Sequence, residues 1–535
     1  MRVVRIPFAR TLFELLCEQA ERYPTNTAVI AGGAEIGFGD LERGARSVAS
    51  ALRACGVRRG DRVGLIVNNR PEWLEIVFGA SAVGATAVPF STWSTREELE
   101  FLLQDSGVKV LFTLARFGKQ EFQAEVDAIL ASVDARERYP NLQRVIVVDG
   151  EDAADDRAYA RFRRGAPLGD DLPPGVSASA VDDALIIYTS GSTSFPKAVR
   201  MKHHAIVENG FNIGECQGLR SGDRVFLSPP LFWSYGGVNA MPATFTHGAT
   251  LVLQGRFEAG EALDLIERHG CTAIYTLPGM TSDLLTHDRF DPSRVATLRT
   301  GLTIGSPQDI RRAATDLGIA DICNIYGVSE AYGNSCVTDH AWPLERRANC
   351  QGMPLPGVEL RIVDPDGGGP LPAGEPGLVE IRGYVTPGYC GASATLNETV
   401  FTSEGYFRPG DYGYLTEAGE FVFVGRGAEL IKSGGINVSP AEIEEVLLRH
   451  PQVVQAGVVG VEILDRGDTI FAFVIADPGR LDADGLRAYC REHLSSYKVP
   501  HRIVFCERLP QTATGKLLRR ELKRHAADLA ATEPA

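Results

Sequence analysis

Short apolar runs of β-forming residues alternate with helix patterns between about residues 60 and 150, and this alternation restricts the chain to a layered α/β fold. Arg62–Val67, Ala85–Phe90 and Val108–Thr113 read as strands. Between them, Pro71 opens a helix in its first turn, and Thr95 followed by Glu98 forms the capping box of another. A chain of 535 residues is too long for one ordinary core, so at least two domains are expected. With 44% hydrophobic and 23% charged residues there is ample apolar material for a large one.

Charge and cysteine usage exclude several classes. A net charge of -14 argues against general affinity for nucleic acid or an anionic membrane, both of which need clustered Lys and Arg. The ten cysteines, from Cys17 to Cys506, contain no CxxC pair, so neither a zinc site nor a disulfide framework is expected. The stretch Thr11 to Ala20 is broken by Glu14 and Glu18 and reads as an amphipathic helix, not a signal peptide. No run reaches about 18 apolar residues, so the expectation is a cytoplasmic protein without a membrane span.

The organisation changes twice. Residues 151–183, rich in Asp, Ala, Gly and Pro, read as a solvated surface connection, because α/β patterning resumes directly after them. Near 417–440 a strand-like Glu420–Gly425 leads into the Gly-rich stretch Gly425 to Gly435. A helix start follows, with Ser439 as cap, Pro440 in the first turn and Glu442 completing a capping box. Beyond it, strands over Val453–Val461, Phe471–Ala476 and Arg502–Leu509 and a helix over Asp484–Leu494 make a compact α+β unit.

The segment with the clearest chemistry is Leu185 to Lys197, a buried-strand run followed by small hydroxyl residues, one glycine and a lysine. Backbone N–H groups and the hydroxyls of Thr189, Ser190, Ser192 and Thr193 suit phosphate oxygens, Gly191 permits close approach, and Lys197 supplies charge. The segment does not match GxxxxGK[ST] and so is not an ordinary P-loop.

Six further motifs follow in order: Tyr326-Gly-Val-Ser-Glu330, Gly374 to Gly383, Gly410-Asp411, Gly425-Arg426, Gly434 to Pro440, and Pro510 to Lys516. Together with the phosphate loop they make the chain resemble the adenylate-forming superfamily of acyl-CoA synthetases, peptide-synthetase adenylation domains and luciferases. The resemblance implies a large multi-layer α/β adenylation domain over residues 1–425. A small mobile α+β domain over 426–535 would follow. The implied activity joins a carboxylic acid to a thiol, that of coenzyme A, through an acyl adenylate at the expense of ATP.

Residue roles follow from the same resemblance. Glu330 would hold Mg²⁺, a hard cation that takes oxygen ligands. Tyr326 would stack on adenine, flanked by Gly305, Ser306 and Pro307, with Asn324, Gly327 and Ser329 also in the nucleotide site. Asp411 would accept the ribose hydroxyls, and Arg426 would contact ribose or phosphate at the domain junction. Lys516 would reach the α-phosphate, and Ser433, Gly434 and Gly435 would line the pantetheine tunnel.

The chain also departs from the family pattern. Ser194 and Ala198 replace phosphate-loop glycines, which costs roughly 1 kcal/mol if either backbone needs φ > 0. Ala428 replaces the charged hinge residue and leaves open an amine or carrier-protein acceptor. Trp233 stands where many relatives have histidine. With Gly236, Gly237, Ile304 and Tyr332 placed around the same pocket, an apolar aromatic, alicyclic or medium-chain acid is expected, handled by a monomer or homodimer. An inactive nucleotide- or acyl-binding homologue is the remaining alternative of another class.

Overall fold

The computed structural model describes residues 6–150, 155–164, 178–189, 196–365, 367, 369–429, 431–433, 436–463, 467–476, 481–494, 498–511 and 517–531. A seven-stranded sheet runs in the order Tyr389–Cys390, Lys197–Lys202, Asp183–Thr189, Thr86–Pro89, Arg62–Ile66, Val110–Thr113, Arg144–Val147. From Asp183–Thr189 to Arg144–Val147 the pairing is parallel, and the other two strands join antiparallel.

A nine-stranded sheet has Asp321–Tyr326, Thr300–Thr303, Ala273–Tyr275, Arg224–Leu227, Thr250–Leu253 and Thr27–Ala31 as its parallel centre. Antiparallel strands close both of its edges. Strands such as Thr86–Pro89, Val110–Thr113 and Thr250–Leu253 are buried along their whole length. Burial on both faces explains why they read as unbroken apolar runs and not as alternating ones.

A third, antiparallel sheet contains Val358–Val363, Gly377–Gly383, Asp411–Leu415 and Phe421–Arg426. After it comes the small C-terminal unit. There Val453–Ile463 pairs antiparallel with Gly467–Ala476, and Arg502–Phe505 pairs parallel to the latter. Helices Pro440–Leu448, Ala483–His493 and Arg519–Ala531 accompany them.

The capping boxes are partly as expected. Thr95 accepts from Glu98 N, and the Glu98 carboxylate accepts in return from Thr95 N at 2.8 Å. Ser439, however, makes no side-chain cap bond, although Pro440 does open its helix. Its hydroxyl donates instead to the carbonyl of Val424, and Glu442 pairs with Lys498 at 2.5 Å, so both partners of that box are engaged elsewhere.

The connection over 151–183 is also less solvated than its composition suggests. It contains the helix Tyr159–Arg164, whose Tyr159 and Phe162 are buried against Phe112. The Tyr159 hydroxyl donates to Glu75 at 2.7 Å, and Arg163 pairs with the same carboxylate at 2.9 Å. Ala198 lies in a central strand, and Tyr332 is the only non-glycine with positive φ among the described residues, so the strain expected at Ala198 is absent. Ser194 lies outside the described residues.

His203, fully buried at the start of helix His203–Gln217, accepts from Leu12 N at 3.3 Å and ties the N-terminal helix Leu12–Arg22 to the sheet. Burial pushes its imidazole down to about 4. A depressed histidine favours the folded state fully above its unfolded value of about 6.5, and that contribution is lost as pH falls toward the folded value. Thermal stability is therefore expected to drop between pH 6.5 and about 4. His203→Gln should flatten that dependence in a melting series across the window.

Candidate active site

Several of the segments singled out by sequence follow the carboxyl ends of parallel strands, the usual ligand-binding edge of an open α/β sheet. Ile304 to Pro307 follow Thr300–Thr303, and Gly327 to Glu330 follow Asp321–Tyr326. Ser228 to Trp233 follow Arg224–Leu227. The segment expected to bind phosphate joins Asp183–Thr189 to the antiparallel strand Lys197–Lys202, with Thr189 paired to Lys197 at its base. Ser190, Gly191, Ser192 and Thr193 lie outside the described residues, as do Gly434, Gly435 and Lys516; of Ser433 only the backbone is described.

Three of the expected residues meet at Asp411: the Tyr326 hydroxyl donates to Asp411 Oδ2 at 2.8 Å, and Arg426 Nε donates to Asp411 Oδ1 at 3.0 Å. The buried Asp411 carboxylate is thus held between a phenol and a guanidinium, which fixes both of its oxygens. Tyr326 is 5% exposed and its ring packs on Phe421 and Phe423. Burial, reinforced by Asp411, pushes its hydroxyl well above the ordinary range and keeps it a donor.

Gly327 has no room for a side chain, because a Cβ would meet the Gly333 carbonyl oxygen at 1.9 Å. Gly305, at φ +155, would place one 2.6 Å from Asp309, which forms a capping box with Ser306 at the start of helix Pro307–Thr315. Asn324 is held by its own strand and by the segment after helix Leu344–Asn349. It is fully buried, its amide donates to the Cys350 carbonyl and its oxygen accepts from Ile325 N. Those bonds brace the strand that carries Tyr326.

Tyr389 links two others of the expected residues. Its hydroxyl donates to Glu330 Oε1 at 2.7 Å, and Lys197 Nζ lies 5.6 Å from its ring centroid. Burial and the Glu330 carboxylate push the Tyr389 hydroxyl well above its ordinary range. The Ser329 and Ser234 hydroxyls share a hydrogen bond of 2.9 Å, which connects the Glu330 turn to the segment carrying Trp233.

Trp233 stands in an aromatic corner. Its ring meets Trp93 edge-on, with centroids 4.9 Å apart at 78°, and Phe232 meets Trp93 at 5.2 Å and 83°. The corner walls a cavity of about 180 Å³ between the two large sheets. Asn69, 4% exposed, braces this wall: its amide donates to the carbonyls of Ser228 and Pro229 at 3.2 and 3.1 Å, and its oxygen accepts from Leu231 N at 2.7 Å.

Gly236, Gly237, Ile304 and Tyr332, expected around the acyl pocket, lie outside this cavity's wall. Gly236 and Gly237 instead let a π-helical turn close on the Pro230 and Leu231 carbonyls, where a Cβ would sit at 2.2 and 2.3 Å. Tyr332 is buried with φ 55, and its hydroxyl accepts from Lys202 N at 2.9 Å. Sequence reading missed Asn69, Trp93, Phe232 and Tyr389, which come from four separate segments and share no spacing.

The family model described as AMP-binding enzyme matches residues 16–390, and that described as AMP-binding enzyme C-terminal domain matches residues 442–516. A feruloyl-CoA synthase of an Amycolatopsis species is 34% identical over 512 residues, spanning 95% of this chain and 97% of its own length. The mitochondrial medium-chain acyl-CoA ligase of Mus musculus is 31% identical over 545 residues, spanning 96% of this chain and 88% of its own. The crystal structure of the anthranilate CoA ligase AuaEII in complex with anthranoyl-AMP superposes with a TM-score of 0.85 at 28% identity, covering 100% of both chains. The matched motifs, the shared architecture and these full-length similarities agree: the chain belongs to the adenylate-forming superfamily of AMP-binding enzymes, among the AMP-forming acid–thiol ligases of the acyl-CoA synthetase type.

Proposed function

We propose that this enzyme condenses an apolar carboxylic acid of aromatic, alicyclic or medium-chain type with ATP, releasing pyrophosphate, and then transfers the acyl group from AMP to the thiol of coenzyme A. The observation that carries this reading is the continuity of the site. Lys197, Tyr389 and Glu330 form one polar chain, and the Ser329–Ser234 bond joins it to the Trp233 wall of the apolar cavity. An acid seated against that wall would present its carboxylate toward the phosphate-binding residues.

In the first half-reaction a carboxylate oxygen attacks the α-phosphorus and the pyrophosphate leaves. Lys197 and Lys516 supply positive charge where phosphoryl oxygens gain negative charge. Asp411, oriented by Tyr326 and Arg426, accepts from the ribose hydroxyls. The Glu330 carboxylate fits Mg²⁺: it is a hard oxygen donor, only partly buried, with one oxygen fixed by Tyr389. When bound, Mg²⁺ would neutralise polyphosphate charge.

In the second half-reaction the thiolate of coenzyme A attacks the acyl carbonyl and AMP leaves with the bonding pair. A thiol with a pKa near 8.5 is already a few per cent ionised at neutral pH, so the site needs no dedicated base. The domain boundary near residues 425 and 426, rotation of the C-terminal unit about it, and a cytoplasmic location belong to this proposal. Acid-dependent exchange of labelled pyrophosphate into ATP tests the first half-reaction, and its absence across aromatic, alicyclic and medium-chain acids would overturn the reading.

A further inference from the structure

The strand Lys197–Lys202 is clamped at its start by a carboxylate that lies outside every motif read from the sequence. Its two neighbours in the sheet place Tyr188 and Cys390 on either side of Ala198, the residue after Lys197. Asp105, partly buried near the end of helix Arg96–Ser106, spans both neighbours. Its Oδ2 accepts from the Tyr188 hydroxyl at 2.7 Å, and its Oδ1 accepts from Ala392 N at 2.6 Å. Burial, reinforced by Asp105, pushes the Tyr188 hydroxyl well above its ordinary range and keeps it a donor.

The surroundings are shaped to this clamp. Gly391 has φ +60, and a Cβ there would stand 2.3 Å from Asp105 Oδ2, so a side chain would push the carboxylate away from Ala392 N. The helix end carrying Asp105 is anchored in turn: Gly107 caps it in the left-handed conformation, and Arg62 donates to the Ser106 carbonyl at 2.7 Å. The Ser393 hydroxyl closes the middle strand, accepting from Ala198 N at 3.1 Å and donating to the Cys390 carbonyl at 2.8 Å. These contacts fix the chain on both sides of Lys197. Tyr188 leads into Thr189, which pairs with Lys197, and Ala392 lies just after Tyr389, whose hydroxyl holds Glu330. Charges stabilise a transition state only where they are fixed before the reaction, and a misplacement of about 1 Å costs about 100-fold.

We infer that Asp105 is a positioning residue for adenylation: by tying the strand before the phosphate-binding segment to the segment after Tyr389, it fixes Lys197 against the Tyr389–Glu330 pair. This deepens the proposed ligase reaction and rests on that reading. Lys197 and Glu330 act on the polyphosphate, so the second half-reaction, which begins after pyrophosphate has left, does not depend on Asp105.

The test compares the full-length enzyme with its Asp105→Ala, Asp105→Asn and Tyr188→Phe variants, each well below its melting temperature. Two rates are measured on the same preparation: acid-dependent pyrophosphate release and coenzyme A-dependent consumption of synthetic acyl adenylate. Asp105→Ala removes both acceptors and should lower kcat for pyrophosphate release about 10- to 100-fold and raise KM for MgATP, with KM for the acid unchanged. Thiolysis should stay near the wild-type rate, so the ratio of the two rates falls. Asp105→Asn should restore most of the loss, because its amide oxygen accepts from Ala392 N while its N–H donates to the Tyr188 oxygen. Tyr188→Phe cuts one tie and keeps the ring, and its ratio should be intermediate. A role confined to holding the fold would lower the fraction of active enzyme and both rates together, leaving the ratio unmoved.

A wild-type ratio in Asp105→Ala, or an Asp105→Asn as impaired as Asp105→Ala, would overturn the assignment. Where Asp105→Ala does not fold, a wild-type ratio in Tyr188→Phe overturns it in the same way. In these cases the wild-type enzyme still releases pyrophosphate, and only this inference fails. If the wild-type enzyme releases none with any aromatic, alicyclic or medium-chain acid, the ligase reading fails first and the inference falls with it.

Discussion

Lys516→Ala is expected to lower acid-dependent pyrophosphate release by about 100- to 1000-fold, the scale for removing one group aimed at developing transition-state charge. Thiolysis of a supplied acyl adenylate should be largely spared. Lys516 lies outside the described residues, but Gln511 and Leu517 on either side of its segment pair across a β-bridge, so both ends of the segment meet at one place. Just beyond, Arg519 bonds the Glu444 carboxylate and reaches Glu429 at 3.3 Å, which ties this part of the C-terminal unit to the segment after Arg426. If the C-terminal unit presents Lys516 for adenylation only, the two half-reactions must separate in the variant. Measuring pyrophosphate release and CoA-dependent consumption of synthetic acyl adenylate in the same preparation decides the point, and equal loss of both would remove Lys516 from the role.

Glu330→Gln should lower the adenylation rate roughly 100-fold and weaken MgATP binding, as expected when a carboxylate ligand to a hard cation loses its charge. The substitution keeps an oxygen to accept from the Tyr389 hydroxyl, now 2.7 Å away, so the fold should be unaffected and the melting temperature unchanged. An equilibrium titration with MgATP supplies a readout independent of turnover. Unaltered MgATP affinity together with unaltered rate would show that Glu330 serves only to hold Tyr389.

Much of the architecture was legible because it depends on local patterns. Pro71 and the Thr95–Glu98 box mark helix starts by satisfying or removing the free N–H groups of the first turn, which is a property of a few adjacent residues. The box at Ser439 failed for the opposite reason: its hydroxyl had a competing acceptor at Val424, fifteen positions earlier in the chain, that no local pattern reveals. Residues 155–164 looked solvated because their burial depends on Glu75 and Phe112 from distant elements.

The site divides in the same way. Tyr326, Glu330, Asp411 and Arg426 sit in motifs, and the structure joins three of them in a single hydrogen-bonded group. The cavity wall could not be read, since Asn69, Trp93 and Asp283 follow three different strands and meet only when the two sheets pack. Gly236 and Gly237 have a local role that spacing does not reveal. Both accommodate the neighbouring backbone at Pro230 and Leu231, a close approach that only the folded chain brings about.

The central claim is that an acid activated at the Lys197–Tyr389–Glu330 group is delivered to coenzyme A. Mass spectrometry of products formed from MgATP and a panel of aryl, alicyclic and fatty acids, incubated with coenzyme A, with simple amines and with neither, tests it most directly. Acyl-CoA formed only when coenzyme A is present, with AMP and pyrophosphate released, is the predicted result. Amide product with coenzyme A ignored, or acyl-AMP that accumulates unchanged in its presence, would contradict it.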